Sequence, residues 1–138
     1  MSNSIITYQT GLHATREQVV ELYLANDWSS GKKPDGLMHH LENSHSVMTA
    51  WVDDRLIGLG NTLSDGRLVA YYSHLLVHPD WQGRGIGTEI LSRLMRNYEG
   101  FHQQLLLADG KATEFYRKLG FVRAGETKAM WIFDGDEH

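Results

Sequence analysis

The spacing of apolar positions changes several times along the chain, and each change marks an element. Residues 5–9 read as a short strand. From 15 to 26 the apolar residues Val19, Val20, Tyr23 and Leu24 share one face of a helix. Thr15 is its expected N-cap, with Gln18 three residues later, the spacing of a capping box. Residues 26–36 form a polar loop that contains Trp28 and Pro34, and 37–43 a second short helix. Two apolar runs, 47–52 and 55–61, flank Asp53-Asp54 and predict a hairpin. After a turn at Asp65-Gly66, residues 68–78 form a long central strand. Ile86, Ile90, Leu91, Leu94, Met95 and Tyr98 then make a helical stripe, with Gly100 as its stop. Residues 103–108 read as a buried strand and 111–119 as a short helix. Residues 121–133 hold one or two final strands, broken near Gly125. The order β-α-α-β-β-β-α-β-α-β predicts an α/β fold in a single domain over residues 1–138.

Composition narrows the function. A chain of 138 residues is long enough for a real core. It has no apolar run long enough to span a membrane and no visible signal peptide, so the expected location is cytoplasmic, with no membrane partner. The formal charge of −4, without a basic cluster, argues against nucleic acid as a partner. The absence of cysteine excludes disulfides, a thiolate zinc site and any acyl-cysteine intermediate. No metal site is expected. His74 and His78 lie on a strand, about 13 Å apart, too far to share one ion. His39 and His40 point to different sides of a helix.

The most informative stretch joins the central strand to the long helix. Leu76, Val77 and His78 close the strand, Pro79 ends it, and Gln82-Gly83-Arg84-Gly85-Ile86-Gly87-Thr88 leads into the helix. A glycine-rich turn at a helix N-terminus directs several backbone N–H groups one way, at the positive end of the helix dipole, which suits a phosphate or pyrophosphate. Arg84 adds a guanidinium and Thr88 a hydroxyl. The turn lacks the lysine of a Walker A loop, and Ile90 stands where a dinucleotide fingerprint needs its third glycine. On local spacing alone, a glycine-rich turn with no ligand stays open.

Gln82-x-x-Gly85-x-Gly87, preceded by Val77-x-Pro79, resembles the acyl-CoA pyrophosphate loop of the GNAT N-acetyltransferases. Phe115-Tyr116-Arg117-Lys118-Leu119-Gly120-Phe121 resembles a second segment of that family, in the expected order and spacing. The likeness covers roughly residues 5 to 133. The stretch from Ala108 to Phe121, with Met130-Trp131 near the end, is also similar to plant chloroplast serotonin-type acetyltransferases and their small bacterial relatives. The resemblance implies a mixed central sheet of six to seven strands flanked by about four helices, with splayed central strands that bind acyl-CoA.

The implied activity is transfer of an acetyl group from acetyl-CoA to a primary amine, by direct attack in a ternary complex. A small arylalkylamine or polyamine is the favoured acceptor. A protein lysine or N-terminal amine, or a non-catalytic acyl-CoA sensor, are the alternatives. By resemblance, Tyr116 is the general acid for the departing thiolate, and the Leu76 N–H is the oxyanion donor. Asp109 stands where the family has Asn; together with Lys111 and Phe115 it is expected near the cofactor, and it can cap the helix that follows. The base is expected on the central strand. Tyr71 matches the family position most nearly, whereas His74 has the better pKa. Strict alternation places Tyr71, Ser73 and Leu75 on one face and Tyr72, His74 and Leu76 on the other, which separates His74 from Tyr71 unless a bulge intervenes. His74 as a structural histidine stays open. Asn26, Asp27 and Trp28, facing Ser73, are the acceptor-side residues; aromatic rings with one carboxylate suit an ammonium on an apolar body. Trp28 as a loop anchor stays equally open. The apolar run Met130-Trp131-Ile132-Phe133 makes a homodimer the expected assembly.

Overall fold

The computed structural model describes residues 5–135, so the outermost residues of the 1–138 domain lie outside the described part. One five-stranded sheet in the order β1-β2-β3-β4-β5 carries the fold. Its strands are β1 (Thr7–Thr10), β2 (Ser46–Val52), β3 (Arg55–Ser64), β4 (Val69–Val77) and β5 (Gln103–Leu105). The first four run antiparallel, and β5 joins β4 in parallel, so the sheet is mixed as expected. The helices are α1 (Arg16–Ala25), α2 (Pro34–Glu42), α3 (Ile86–Met95) and α4 (Thr113–Arg117).

The expected count of six to seven strands is corrected to five. Residues 121–133 form no strand among the described residues. A strand needs a neighbour to take its backbone hydrogen bonds, and this segment lies along none. Its apolar run stays exposed, with Met130 at 92% and Trp131 at 61%.

Thr15 caps α1 as its sequence indicates. Its hydroxyl accepts from the Gln18 N–H at 3.1 Å, and the Gln18 side chain accepts from the Thr15 N–H at 2.9 Å. The buried face is Val19, Leu22 and Tyr23; Leu24, expected inside, is exposed. Residues 29–32, read as loop, make a short 3-10 turn, and Pro34 opens α2. The β3–β4 connection turns at Asp65-Gly66. There the Asp65 carboxylate accepts from the N–H groups of Arg67, Leu68 and Val69, which pulls its pKa down to about 2.

Two apolar layers flank the sheet. Val19, Leu22, Tyr23, Leu37 and Leu41 from α1 and α2 cover one face, against Val47, Trp51, Leu56, Leu59 and Leu76. Ile86, Ile90, Leu91, Leu94 and Tyr98 cover the other, as their spacing predicts. On β3, a Cβ at Gly60 would stand 2.8 Å from Ile90, and one at Gly58 2.9 Å from the same side chain. The two glycines let α3 lie close to the sheet, and this fixes where its N-terminus points.

Candidate functional site

At the end of β4 a single 3-10 turn, Pro79–Trp81, swings the chain toward α3. Gly83 and Gly85 both take left-handed backbone, at φ 80° and 81°, where a side chain would be strained. No atom lies within 4 Å of where a Cβ would stand at either. The first bond of the α3 ladder runs from the Glu89 N–H to the Gly85 carbonyl at 3.0 Å. By helix geometry the N–H groups of Ile86, Gly87 and Thr88 precede that bond and have no intrahelical partner. Arg84 lies over the Trp81 ring at 4.6 Å. The turn is therefore an exposed cradle of donors with a cation beside it, and it fits a pyrophosphate.

Neighbouring residues brace the turn. The Gln82 amide donates to the Val77 carbonyl at 3.0 Å and to Asn26 Oδ1 at 3.4 Å. Asn26 in turn donates to the Leu22 carbonyl at 3.1 Å. Asn26, expected on the acceptor side, thus ties the end of α1 to the glycine-rich turn. His78 Nδ1 accepts from the Asp80 N–H at 3.1 Å, and the Arg55 guanidinium reaches its Nε2 at 3.3 Å.

The central strands part where the resemblance places a thioester arm. β5 pairs with β4 only at Val69, Ala70 and Tyr71, while β4 continues to Val77. Backbone direction along the freed edge follows from two bonds. The His78 N–H donates to the Ile57 carbonyl at 2.8 Å, and the His74 N–H to Asn61 Oδ1 at 2.8 Å, both toward β3. Alternation sends the Leu76 N–H the same way, toward Leu59. The N–H groups of Leu75 and Val77 face the opening.

Phe115 of α4 packs against Gly87, beside Val77. Tyr116 follows it, with ring centroids 5.0 Å apart, and packs on Phe121. Burial, and then the Asp109 charge, push the Tyr116 phenol above its usual range, so it keeps its proton. The expected Asp109 cap is not made through its side chain; its carbonyl accepts from the Ala112 N–H at 2.8 Å instead. Lys111 is exposed in the same turn.

The other half of the site lies under α1 and α2. The register of β3 on β4 steps from Asn61↔His74 to Thr62↔Tyr72, so Ser73 is an extra residue in β4. This bulge corrects the expected alternation. Tyr72 and Leu75 lie in the α3 layer, while Leu76 lies in the α1–α2 layer and His74 contacts residues of α1 and α2. Tyr71, one residue before Tyr72, falls on the His74 side by alternation, and partial burial raises its phenol pKa. His74 and Tyr71 therefore share a face after all.

His74 sits in a polar and aromatic cluster. Its Nδ1 meets the Tyr23 hydroxyl at 2.8 Å. The Trp28 ring stands edge-on at 5.2 Å and the His40 ring at 4.9 Å. His40 Nε2 meets Ser73 Oγ at 3.0 Å and Asn61 Nδ2 at 3.1 Å. Burial holds the His40 pKa below its ordinary value and pushes that of Tyr23 far above the phenol range, so both are neutral at pH 7. Asp27 is exposed at the rim, in left-handed backbone at φ 59°.

Two groups of expected residues are thus gathered at the two ends of this strand segment: Gln82–Thr88 with Phe115 and Tyr116, and Trp28 with Ser73 and His74. Tyr23, His40 and Asn61 were missed as site residues. The signals for them were weak: Tyr23 read as an ordinary core position, and Asn61 as the end of a hairpin strand that in fact runs on to Ser64.

Comparison with known proteins shows the family. A model of the acetyltransferase (GNAT) domain matches residues 13–131. The chain belongs to the GNAT acetyltransferase family. It is 34% identical over 86 residues to a histone acetyltransferase TAP1 of Glycine max, covering 61% of this chain and 37% of that one. It is 33% identical over 69 residues to an N-acetyltransferase ycf52 of Gracilaria tenuistipitata var. liui, covering 49% and 38%. The matched stretches thus span less than two fifths of those relatives' own length. A GNAT-family acetyltransferase of Streptococcus pneumoniae TIGR4 superposes with a TM-score of 0.82 at 27% identity, covering 94% of this chain and 98% of that one. Among the described residues no helix is long and apolar enough to cross a membrane, and no group of three potential ligands is placed to hold a metal ion.

Proposed function

We propose that this protein is an acyltransferase that moves an acetyl group from acetyl-CoA to a primary amine by direct attack within a ternary complex, and that the amine is a small arylalkylamine or polyamine. The observation that carries the reading is the alignment of three features on one strand: the donor cradle at the α3 N-terminus, the opening between β4 and β5, and the neutral aromatic cluster around His74. Acetyl-CoA supplies an activated thioester.

Each part of the chain has a task. The N–H groups of Ile86, Gly87 and Thr88, with Arg84, hold the pyrophosphate. The free edge of β4 pairs with the pantetheine amides as a strand would. The Leu75 and Val77 N–H groups, which face the opening, take over the oxyanion role first assigned to Leu76. Trp28, backed by the buried Tyr23, gives an apolar wall to the body of the amine, with Asp27 and Tyr71 at its margin. His74 takes the proton from the ammonium nitrogen. Tyr116 gives its phenolic proton to the departing sulfur; a phenol and an alkyl thiol are close enough in basicity for that transfer. The exposed Met130–Phe133 run and the three-residue β5 at the sheet edge favour a homodimer, which light scattering would show as a doubled mass.

Thiol release from acetyl-CoA, followed with a thiol-reactive dye across tryptamine, phenethylamine, spermidine and a lysine peptide, tests the reading. The chain has no cysteine and adds no background. Release that depends on a small amine supports it. Release with the peptide alone moves the acceptor to a protein, in line with the name of the TAP1 relative. Silence with every amine, while acetyl-CoA still binds, leaves a sensor.

A further inference from the structure

The β4 bulge needs a residue to hold it. Ser73 pushes the His74 N–H out of register with the β3 backbone, and that N–H finds the Asn61 side chain instead, at 2.8 Å. Asn61 is fully buried in a strand whose other inward residues are mostly apolar, so each of its polar atoms must find a partner there. We propose that Asn61 is the positioning residue of the acceptor site: through its bonds to His74 and His40 it fixes the bulge that turns His74 toward the amine, and it holds His40 in the tautomer protonated at Nδ1. This rests on the transferase reading above for its kinetic consequence, but not for its structural one.

The tautomer follows from the hydrogen-bond chain. A backbone N–H is a fixed donor, so the Asn61 atom facing His74 is the oxygen. The Asn61 nitrogen then has two hydrogens to place. One goes to Ser44 Oγ at 2.9 Å and the other to His40 Nε2 at 3.1 Å. Ser44 spends its own hydrogen on the His40 carbonyl at 2.8 Å, so it is an acceptor toward Asn61. His40 Nε2 is therefore the acceptor for that hydrogen, and the Ser73 hydroxyl, 3.0 Å from the same nitrogen, competes for its single lone pair. A proton on Nε2 would face the Asn61 amide hydrogens. The groups around His40 are Ser73 and His74 on β4, Asn61 on β3 and Ser44 at the end of α2, and none of them carries a negative charge to favour the imidazolium.

Removing this chain has a defined result. A one-residue slip in register carries a side chain to the opposite face of the sheet. Without the bulge Tyr72 and His74 would share a face, so either Tyr72 leaves the α3 layer or His74 leaves Tyr23 and Trp28 for it. Neither Asn61 nor His40 needs to touch the substrate to matter.

Kinetics and NMR test it together. Asn61→Leu should lower kcat on the order of 100-fold, the scale of a misplaced catalytic group, with acetyl-CoA Kd unchanged by calorimetry. His40→Leu should lower kcat on the order of tenfold, the scale of one lost hydrogen bond. His40→Gln should restore kcat to within about threefold, because its amide oxygen accepts where Nε2 does. If His40→Gln is as slow as His40→Leu, His40 carries protons and the positioning role is overturned. Unchanged kcat in His40→Leu and Asn61→Leu overturns it as well. Nitrogen-15 imidazole spectra of the wild type decide the structural half without any activity, and without relying on a variant that folds poorly. His40 should show a protonated Nδ1 and a bare Nε2; a protonated Nε2 refutes the chain. An enzyme inactive on every amine but with that tautomer would sink the transferase reading and leave the network standing.

Discussion

The turn into α3 and the cluster beneath α1 and α2 are built by opposite rules. The turn is continuous in sequence: seven residues from Gln82 to Thr88 supply its donors, its charge and its left-handed glycines. The cluster is drawn from separate segments, with Tyr23 and Trp28 around the end of α1, His40 on α2, Asn61 on β3 and Ser73 and His74 on β4. The turn works through backbone groups that any sequence with the right glycines would present. The cluster works through side chains whose meeting depends on one extra residue in one strand. A ligand that every member of a fold family shares is well served by the first kind of site. The second kind is free to differ, and on the function proposed above it is where the acceptor would be chosen.

Several changes would break or sharpen this contrast. The largest effect is expected for Tyr116→Phe, which should lower kcat on the order of 100-fold or more while leaving acetyl-CoA affinity intact. Equal loss of binding and turnover would make Tyr116 part of the cofactor wall rather than the acid. Gly85→Val should do the reverse and weaken acetyl-CoA binding on the order of tenfold, because it strains a left-handed position at a cost of about 1 to 2 kcal/mol. Amine KM unchanged in that variant would show that the two halves act separately. A change in amine KM of the same size would mean that the Gln82–Asn26 link couples them. Tyr23→Phe removes one hydrogen bond in the buried layer and should cost about 1 kcal/mol of stability. Its kinetic effect should fall on the amine side, with a shifted pH profile of kcat and no change in acetyl-CoA binding.

The smallest effect is a pH dependence of stability. The folded His40 pKa lies below its unfolded value of 6.5, so the unfolded chain takes up the proton first as pH falls. The stability that neutral His40 contributes is complete above pH 6.5 and is lost as pH drops through the folded value. Melting curves at pH 7.5 and pH 5 should show a larger loss for the wild type than for His40→Gln. Equal losses would mean that burial exerts no net penalty on His40.

Several elements were legible without coordinates because their cause is local. The capping box at Thr15 and Gln18, the stripe from Ile86 to Tyr98 and the turn at Asp65-Gly66 each involve neighbours within a few residues. Both family segments were legible for the same reason. The tail was misread because β propensity in residues 121–133 says nothing about whether a partner strand is present to bond with. Leu24 was placed inside because period alone cannot say how wide a face the sheet covers. Strand parity failed at Ser73 because a bulge leaves no fixed mark in the sequence of the strand that carries it; the side chain that takes up its displaced N–H, Asn61, is on another strand.

The sequence by itself determined the turn into α3: a strand, a glycine-rich turn and a helix in immediate succession, which dictate a donor cradle through backbone geometry alone. Only the tertiary structure decided the cluster around His74. Which face His74 takes, and which rings and hydroxyls surround it, depend on contacts between residues up to about fifty positions apart. Such contacts exist only once the sheet has set its register, and register is a property of paired strands rather than of either strand alone.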